Sequence, residues 1–323
     1  MYKVAKENGR DPVEMKAAYA DIMIELAEKN PQVVDVEADL ANTLNMNKFK
    51  KRFPNRFFDI GVAEQSLSSI SAGLSVVGKI PFAHSFACFA SRRMCDQNYL
   101  SIAYAKTNVK IVGSDPAISG AMNGGTHQAN EDLAIMRSIP NITIVEPSDI
   151  TMLKWAINHA ADTYGVFYIR VQRAENIVVY EEGSTFEIGK ANLIREGKDV
   201  TLIVAGSLMM DESLKAAALL EKDGISARIV DMFTIKPIDA DCILRCAQET
   251  GAIVTVENHN IIGGLGSAVA EVLAENGACA ALKRIGVPDR VGEVGTSSEL
   301  KVVMGMRAED IADAAKLVIS KKK

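Results

Sequence analysis

The sequence predicts an α/β protein of two consecutive domains, each built on a mainly parallel sheet. Three observations carry this. The chain has 323 residues, and single cores rarely keep growing past ~250. Short β-branched runs alternate repeatedly with segments of helical periodicity. A polar stretch without helical period separates two such alternations.

In chain order, Met15, Ala18, Ile22 and Leu26 recur at helical spacing between Pro12 and Glu28, with Asp11 as N-cap and Pro12 at the first helical position. After Asn30-Pro31, QVVDVEAD reads as a short strand, and FFDIGV, NVKIVG and NITIVEPSD repeat the strand-then-helix pattern up to about Ile177. Residues 178–198 read as a linker with a local strand pair. VTLIVAGS, a helix over Asp211–Glu221, ARIVDMFTIKPID, a helix over Asp239–Thr250, AIVTVEN and a helix from about Gly266 then form the second alternation. The expected boundary lies near residue 188, giving domains 1–187 and 188–323. No repeat of fixed period is visible, which argues against a solenoid.

Composition excludes several functions. A formal net charge of −5 without a dense Lys/Arg stripe argues against nucleic acid as the main ligand, because counterion release needs clustered cations. No apolar run approaches ~20 residues, and MYKVAKENGR lacks the apolar core of a signal peptide, so the expectation is a cytoplasmic protein. The 5 cysteines contain no C-x-x-C pair and no His at zinc spacing. They read as reduced thiols, with Cys242 and Cys246 sharing a helix face, and no metal ligands are assigned.

Three segments carry the chemistry. RFFDIGVAEQSL brings Glu64 to the start of a helix, where the dipole favours a carboxylate. PFAHSFACFASRRMCDQ supplies Phe86 and Phe89, three apart and expected on one helix face, beside Arg92. GGTHQANEDLAIMRSIPNITIVEPSD places His127 in a glycine-led loop before a helix. The glycine run IIGGLGS lacks the features of a dinucleotide or P-loop and reads as a tight strand-to-helix turn, while Glu257 and His259 before it form a polar cluster with no assigned role.

At these segments the sequence resembles transketolase, in its pyrimidine-binding and C-terminal domains, from about residue 12 to 320 and through IRVQRAEN, VTLIVAGS and DMFTIKPID. The resemblance implies thiamine diphosphate as cofactor. It places Glu64, in DIGVAEQ, at the aminopyrimidine ring, where a carboxyl group can hydrogen-bond the ring nitrogen and promote loss of the thiazolium proton. Phe86 and Phe89 become the wall on which the pyrimidine stacks, and Arg92 and Asp39 join the cofactor site. His127 is implied as a catalytic contact to donor hydroxyls and Arg173 as the holder of the terminal anion. Lys16, Thr43, Asp115 and Asn123 complete the expected substrate set. Lys16, Asp115 and Asn123 stand where the family usually has an arginine, a histidine and an aspartate. A negative charge at Asp115 would disfavour a phosphate, which leaves a sulfonate or an unusual phosphorylated ketose open as donor.

Transketolases carry the diphosphate and Mg2+ through a Gly-Asp-Gly followed by an Asn, and this sequence has no Gly-Asp-Gly. The resemblance therefore implies a split enzyme whose partner, an N-terminal transketolase subunit, supplies those ligands, with two copies of each chain in a heterotetramer. The alternatives are a 2-oxoacid dehydrogenase β-type subunit and a non-catalytic binding paralogue.

Overall fold

The computed structural model describes residues 1–172 and 176–322. Six strands come first: β1 (Val33–Glu37), β2 (Phe57–Asp59), β3 (Ile80–Phe86), β4 (Lys110–Ser114), β5 (Ile142–Val145) and β6 (Val166–Val171). Six follow: β7 (Asn192–Arg195), β8 (Val200–Val204), β9 (Ala227–Asp231), β10 (Thr234–Lys236), β11 (Ala252–Asn260) and β12 (Ala281–Val287). The first sheet has the order β10-β5-β6-β4-β3-β1-β2, and the second β12-β11-β8-β9-β7. All pairings are parallel except β10 with β5 and β7 with β9.

The principal helices are α1 (Met15–Lys29), α2 (Asn47–Arg52), α3 (Glu64–Val76), the one-turn α4 (Cys95–Gln97), α5 (Asp132–Ser138), α6 (Ile150–Asp162), α7 (Ser207–Lys222), α8 (Ala240–Thr250), α9 (Leu265–Glu275), α10 (Ser297–Met304) and α11 (Ala308–Ile319). Strand alternation divides the first core in two. Val33, Phe82, Val112 and Ile169 pack with Met15, Tyr19, Met23, Met152 and Leu153 of α1 and α6. Val34, Val36, Ala83, Ile111 and Tyr168 pack on the opposite face with Leu67, Met94 and Ile102. Each such large apolar side chain, fully buried, stabilises the fold by ~1.5–3 kcal/mol.

Four local expectations are corrected. Helix α1 begins at Met15 with Glu14 as N-cap, because Asp11 folds back to accept from the Val13 N–H at 2.8 Å in a turn of its own. Phe86 and Phe89 do not share a helix face, since Phe86 ends β3 and Phe89 opens a π-helical segment, Phe89–Arg93. Helix α7 begins at Ser207, where Gly206 at φ 79° turns the chain out of β8. The run ARIVDMFTIKPID splits into β9 in the second sheet and β10 at the edge of the first. The stretch 176–186 packs against the N-terminal residues and α6. It bridges the N-terminal residues at Val4–Tyr180 and Arg10–Ile177, and Phe186 packs against Tyr180, Trp155 and Phe233 at centroid distances of 4.7, 5.4 and 5.8 Å. Cys88, Cys242 and Cys246 are buried free thiols, Cys95 is half-buried and Cys279 exposed. Among the described residues, no helix is long and apolar enough to cross a membrane.

Candidate active site

In open parallel sheets ligands bind beyond the carboxyl ends of the strands, and Glu64, Phe86 and Phe89 follow the carboxyl ends of β2 and β3 in the first sheet. The turn after β2 is tied by Asp59, whose Oδ1 accepts from the N–H groups of Gly61 at 3.1 Å and Asp39 at 3.0 Å. Gly61, at φ 73°, redirects the chain so that Glu64 becomes the first residue of α3. Its side chain is 3% exposed and pairs through Oε2 with Arg93 Nη1 at 3.3 Å. The same guanidinium lies 5.0 Å above the Phe89 ring. Arg93 thus ties the carboxylate to the aromatic wall, and Oε1 has no hydrogen-bond donor among the described residues.

Phe86 and Phe89 meet edge to face at 6.2 Å, and His127 packs edge-on to both, at 5.7 and 5.3 Å. All three rings are half-buried. The π-helical register at Phe89–Arg93 is a departure that recurs at functional sites. His127 Nδ1 lies 2.9 Å from Thr126 Oγ1, and its Nε2 has no protein partner among the described residues. A half-buried aromatic wall beside a buried carboxylate with one uncommitted oxygen is a donor set suited to an aminopyrimidine ring.

The loop carrying Asn123 and His127 is held from below by buried ions. Asp132, at the start of α5, accepts from the Tyr168 hydroxyl at 2.6 Å and from Arg170 Nε and Nη2 at 2.9 and 3.1 Å. Arg170 also pairs with Glu146 at 2.6 Å and donates to the Asn258 carbonyl at 2.8 Å. Burial alone would lower the Arg170 pKa, but Asp132 and Glu146 outweigh it and hold it above the ordinary value. On the second domain, burial pushes Glu257 up to about 8 and His259 down to about 4. Glu257 accepts from the Leu265 and Gly266 N–H groups at 2.6 and 2.8 Å, so this polar cluster shapes the turn into α9. Close approach seals the join, because a Cβ on Gly125 would lie 2.5 Å from the Gly292 carbonyl oxygen.

The other expected residues have partners or settings of their own. Asp115 is fully buried, and its charge acts on His84, which burial nevertheless holds down at about 3. His84 in turn bridges Glu37 at 2.8 Å and Ser114 at 2.9 Å. Asn123 is exposed on the His127 loop. Arg92 spends its guanidinium on Glu131 at 2.7 Å and the Thr126 carbonyl at 3.1 Å, supporting that loop. Lys16 pairs with Glu14 at 3.0 Å on α1. Asp39 is exposed at φ 60°, and the Thr43 N–H closes a turn on the Leu40 carbonyl at 2.8 Å. Arg173 lies outside the described residues. Arg93 was missed, since nothing in the adjacent pair Arg92-Arg93 says which one turns to Glu64.

The pyrimidine binding domain of transketolase matches residues 11–176, and the transketolase C-terminal domain matches residues 189–311. The chain belongs to the transketolase family. It is 45% identical to a 6-deoxy-6-sulfo-D-fructose transketolase subunit SqwH of Clostridium sp. (strain MSTE9), over 95% of each chain. It is 36% identical to an apulose-4-phosphate transketolase subunit of Phocaeicola vulgatus, over 93% of this chain and 96% of that one. Among solved structures, a split gene transketolase described as an inactive beta4 tetramer superposes with a TM-score of 0.89 at 41% identity, covering 96% of this chain and 100% of the other. The subunit is thus of the split-transketolase type, and transketolases depend on thiamine diphosphate.

Proposed function

We propose that this chain is the cofactor-activating subunit of a two-chain transketolase that moves a two-carbon ketol unit from an anionic ketose to an aldose. The observation that carries this reading is Glu64, buried at the first turn of α3 with Arg93 on one oxygen and over Phe89. Thiamine diphosphate, when bound, supplies the nucleophilic carbon that opens the ketose. Glu64 would hold a proton against the aminopyrimidine nitrogen through Oε1, while Arg93 fixes the carboxyl plane through Oε2. Phe86 and Phe89 cover the ring and keep water from it. The Thr126 hydroxyl, donating to His127 Nδ1, would fix the tautomer whose Nε2–H reads a donor hydroxyl. Asn123 offers a neutral amide on the same loop, and Arg173 is assigned to the terminal anion.

The diphosphate and Mg2+ are assigned to the partner, an N-terminal transketolase subunit, with two copies of each chain in the active unit. The absence of Gly-Asp-Gly from the sequence and the two subunit-named relatives matched over nearly their whole length support this. The relative at 45% identity makes a sulfonate-terminated ketose the first donor to assay. Family membership favours this reading over a 2-oxoacid dehydrogenase subunit, and the Glu64–Arg93–Phe89 contact favours it over a non-catalytic paralogue. In the reconstituted pair, Glu64→Gln should slow exchange of the thiazolium C2 proton by ~10²–10⁴-fold, the range of general acid–base contributions, with near-UV circular dichroism unchanged. Exchange at the wild-type rate would remove the mechanism.

A further inference from the structure

We infer that Asn258, at the end of the second domain's strand β11, is a positioning residue for the sugar-reading loop of the first domain. This rests on the reading of Asn123 and His127 as donor contacts. The approach to that loop is unusual: Asp115, Ala117 and Ala121 all have positive φ, at 54°, 42° and 43°, and none is glycine. Ala121 combines its φ with ψ −117°. An L side chain disfavours this region, and such residues persist only where their surroundings over-determine them.

Asn258 provides that constraint. Its Nδ2 donates to the Pro116 carbonyl at 2.9 Å and to Ser119 Oγ at 3.0 Å. Its Oδ1 accepts from the Ile118 N–H at 3.2 Å. One planar amide thereby engages three polar groups of the 116–119 turn, flanking Ala117. The side chain is buried, and its own carbonyl is gripped by Arg170, so the clamp is anchored to the buried ion network. A second contact follows the same logic: Gln128 Nε2 donates to the Glu293 carbonyl at 2.7 Å and to the Ala121 carbonyl at 3.4 Å. The second domain therefore fixes the turn from which Asn123 and His127 depart, while Glu64, Phe86 and Phe89 are carried by other elements. Losing the clamp should impair donor recognition and leave cofactor activation intact.

Only an amide serves both roles, since two donors and one acceptor are required. Asn258→Leu keeps the shape but withdraws both donors and the acceptor, and Ser119→Ala removes a single bond at the edge of the clamp as a milder variant. In the full chain, hydrogen exchange read by mass spectrometry should accelerate at the Ile118 amide by at least about tenfold in Asn258→Leu, the effect of losing a buried hydrogen bond, while β8 and β11 keep their protection. With the partner chain added, KM for the donor ketose should rise by about fivefold or more, consistent with the same loss, and thiazolium C2 exchange should stay within about twofold. Unchanged protection at residues 116–121 overturns the proposal, as does an unchanged KM. A parallel fall in C2 exchange also overturns it, because a general loosening would do that and a positioning clamp would not. Should the wild-type pair show no ketol transfer, the functional reading fails, and the exchange experiment still decides whether Asn258 holds the loop.

Discussion

Replacing Arg170 by Met removes the cation at the centre of the domain junction and leaves Asp132 and Glu146 buried without it. Arg170 makes two bonds to Asp132 at 2.9 and 3.1 Å, pairs with Glu146 at 2.6 Å and donates to the Asn258 carbonyl at 2.8 Å. Removing one partner of a buried ion pair costs ~3–5 kcal/mol. The abandoned carboxyls can relieve this by binding protons, and for an ordinary carboxyl at pH 7 that costs about 1.4 × (7 − 4.3), or ~4 kcal/mol. The expected loss at pH 7 is therefore ~4 kcal/mol, a large share of the ~5–15 kcal/mol that holds a domain folded. The sign with pH follows. In the variant a buried carboxyl has its folded pKa above its unfolded one, so the native state binds more protons and the deficit shrinks as pH falls. By the same arithmetic, for the one carboxyl counted, it should be smaller by ~2.8 kcal/mol at pH 5. Urea unfolding can be followed by the fluorescence of Trp155, the single tryptophan, which meets Phe186 edge to face. Lys154→Met is the control: its pair with Glu25, at 2.8 Å, is half exposed on both sides and should contribute ~0–1 kcal/mol. A loss below ~1 kcal/mol for Arg170→Met at pH 7, or one that grows toward pH 5, would refute the buried-network reasoning.

Two further outcomes are expected. Burial pushes fully buried Asp231 up to about 7, against the hydroxyls of Tyr180 and Ser148 that donate to it. A carboxyl raised in the folded state contributes stability below its unfolded pKa of ~3.9, and that contribution is lost as pH rises toward the folded value. Asp231→Asn should accordingly flatten the fall in stability over this window, and an unaltered slope in urea midpoints would contradict the assignment. Phe89→Ala should weaken cofactor binding to the reconstituted pair by about tenfold or less beyond lost area, the value of one aromatic contact. Titration calorimetry would read this, and an unaffected Kd would take Phe89 out of the wall.

The sheets were legible where strands are buried on both faces and are rich in β-branched residues, as in β1, β8 and the first half of β11. Strand β3 was not, because Pro81, His84 and Ser85 interrupt its apolar pattern, and the burial of His84 depends on Glu37 and Ser114 from neighbouring strands. Strand β12 was hidden by Lys283 and Arg284 on a half-exposed edge. The swing of β10 into the first sheet is a tertiary choice that no local period encodes. At the site, Glu64, Phe86, Phe89 and His127 were singled out by their surrounding strings, and the structure brings the three rings together and joins Glu64 to them through Arg93. That last link depends on the π-register of residues 89–93, which local spacing does not determine. The burial of Asp115 and the clamp by Asn258 lie across 140 residues of sequence or across the sheet edge, and so were invisible before the fold.

The claim that this chain carries half of a divided cofactor site is tested most directly by calorimetry with thiamine diphosphate and Mg2+, first on the chain alone and then with its partner. Pyrimidine stacking contributes only ~0.5–1.5 kcal/mol beyond area burial, so the lone chain should bind weakly and show no ketol transfer, while the pair should bind tightly and turn over. Micromolar or tighter binding together with ketol transfer by the chain alone would contradict it.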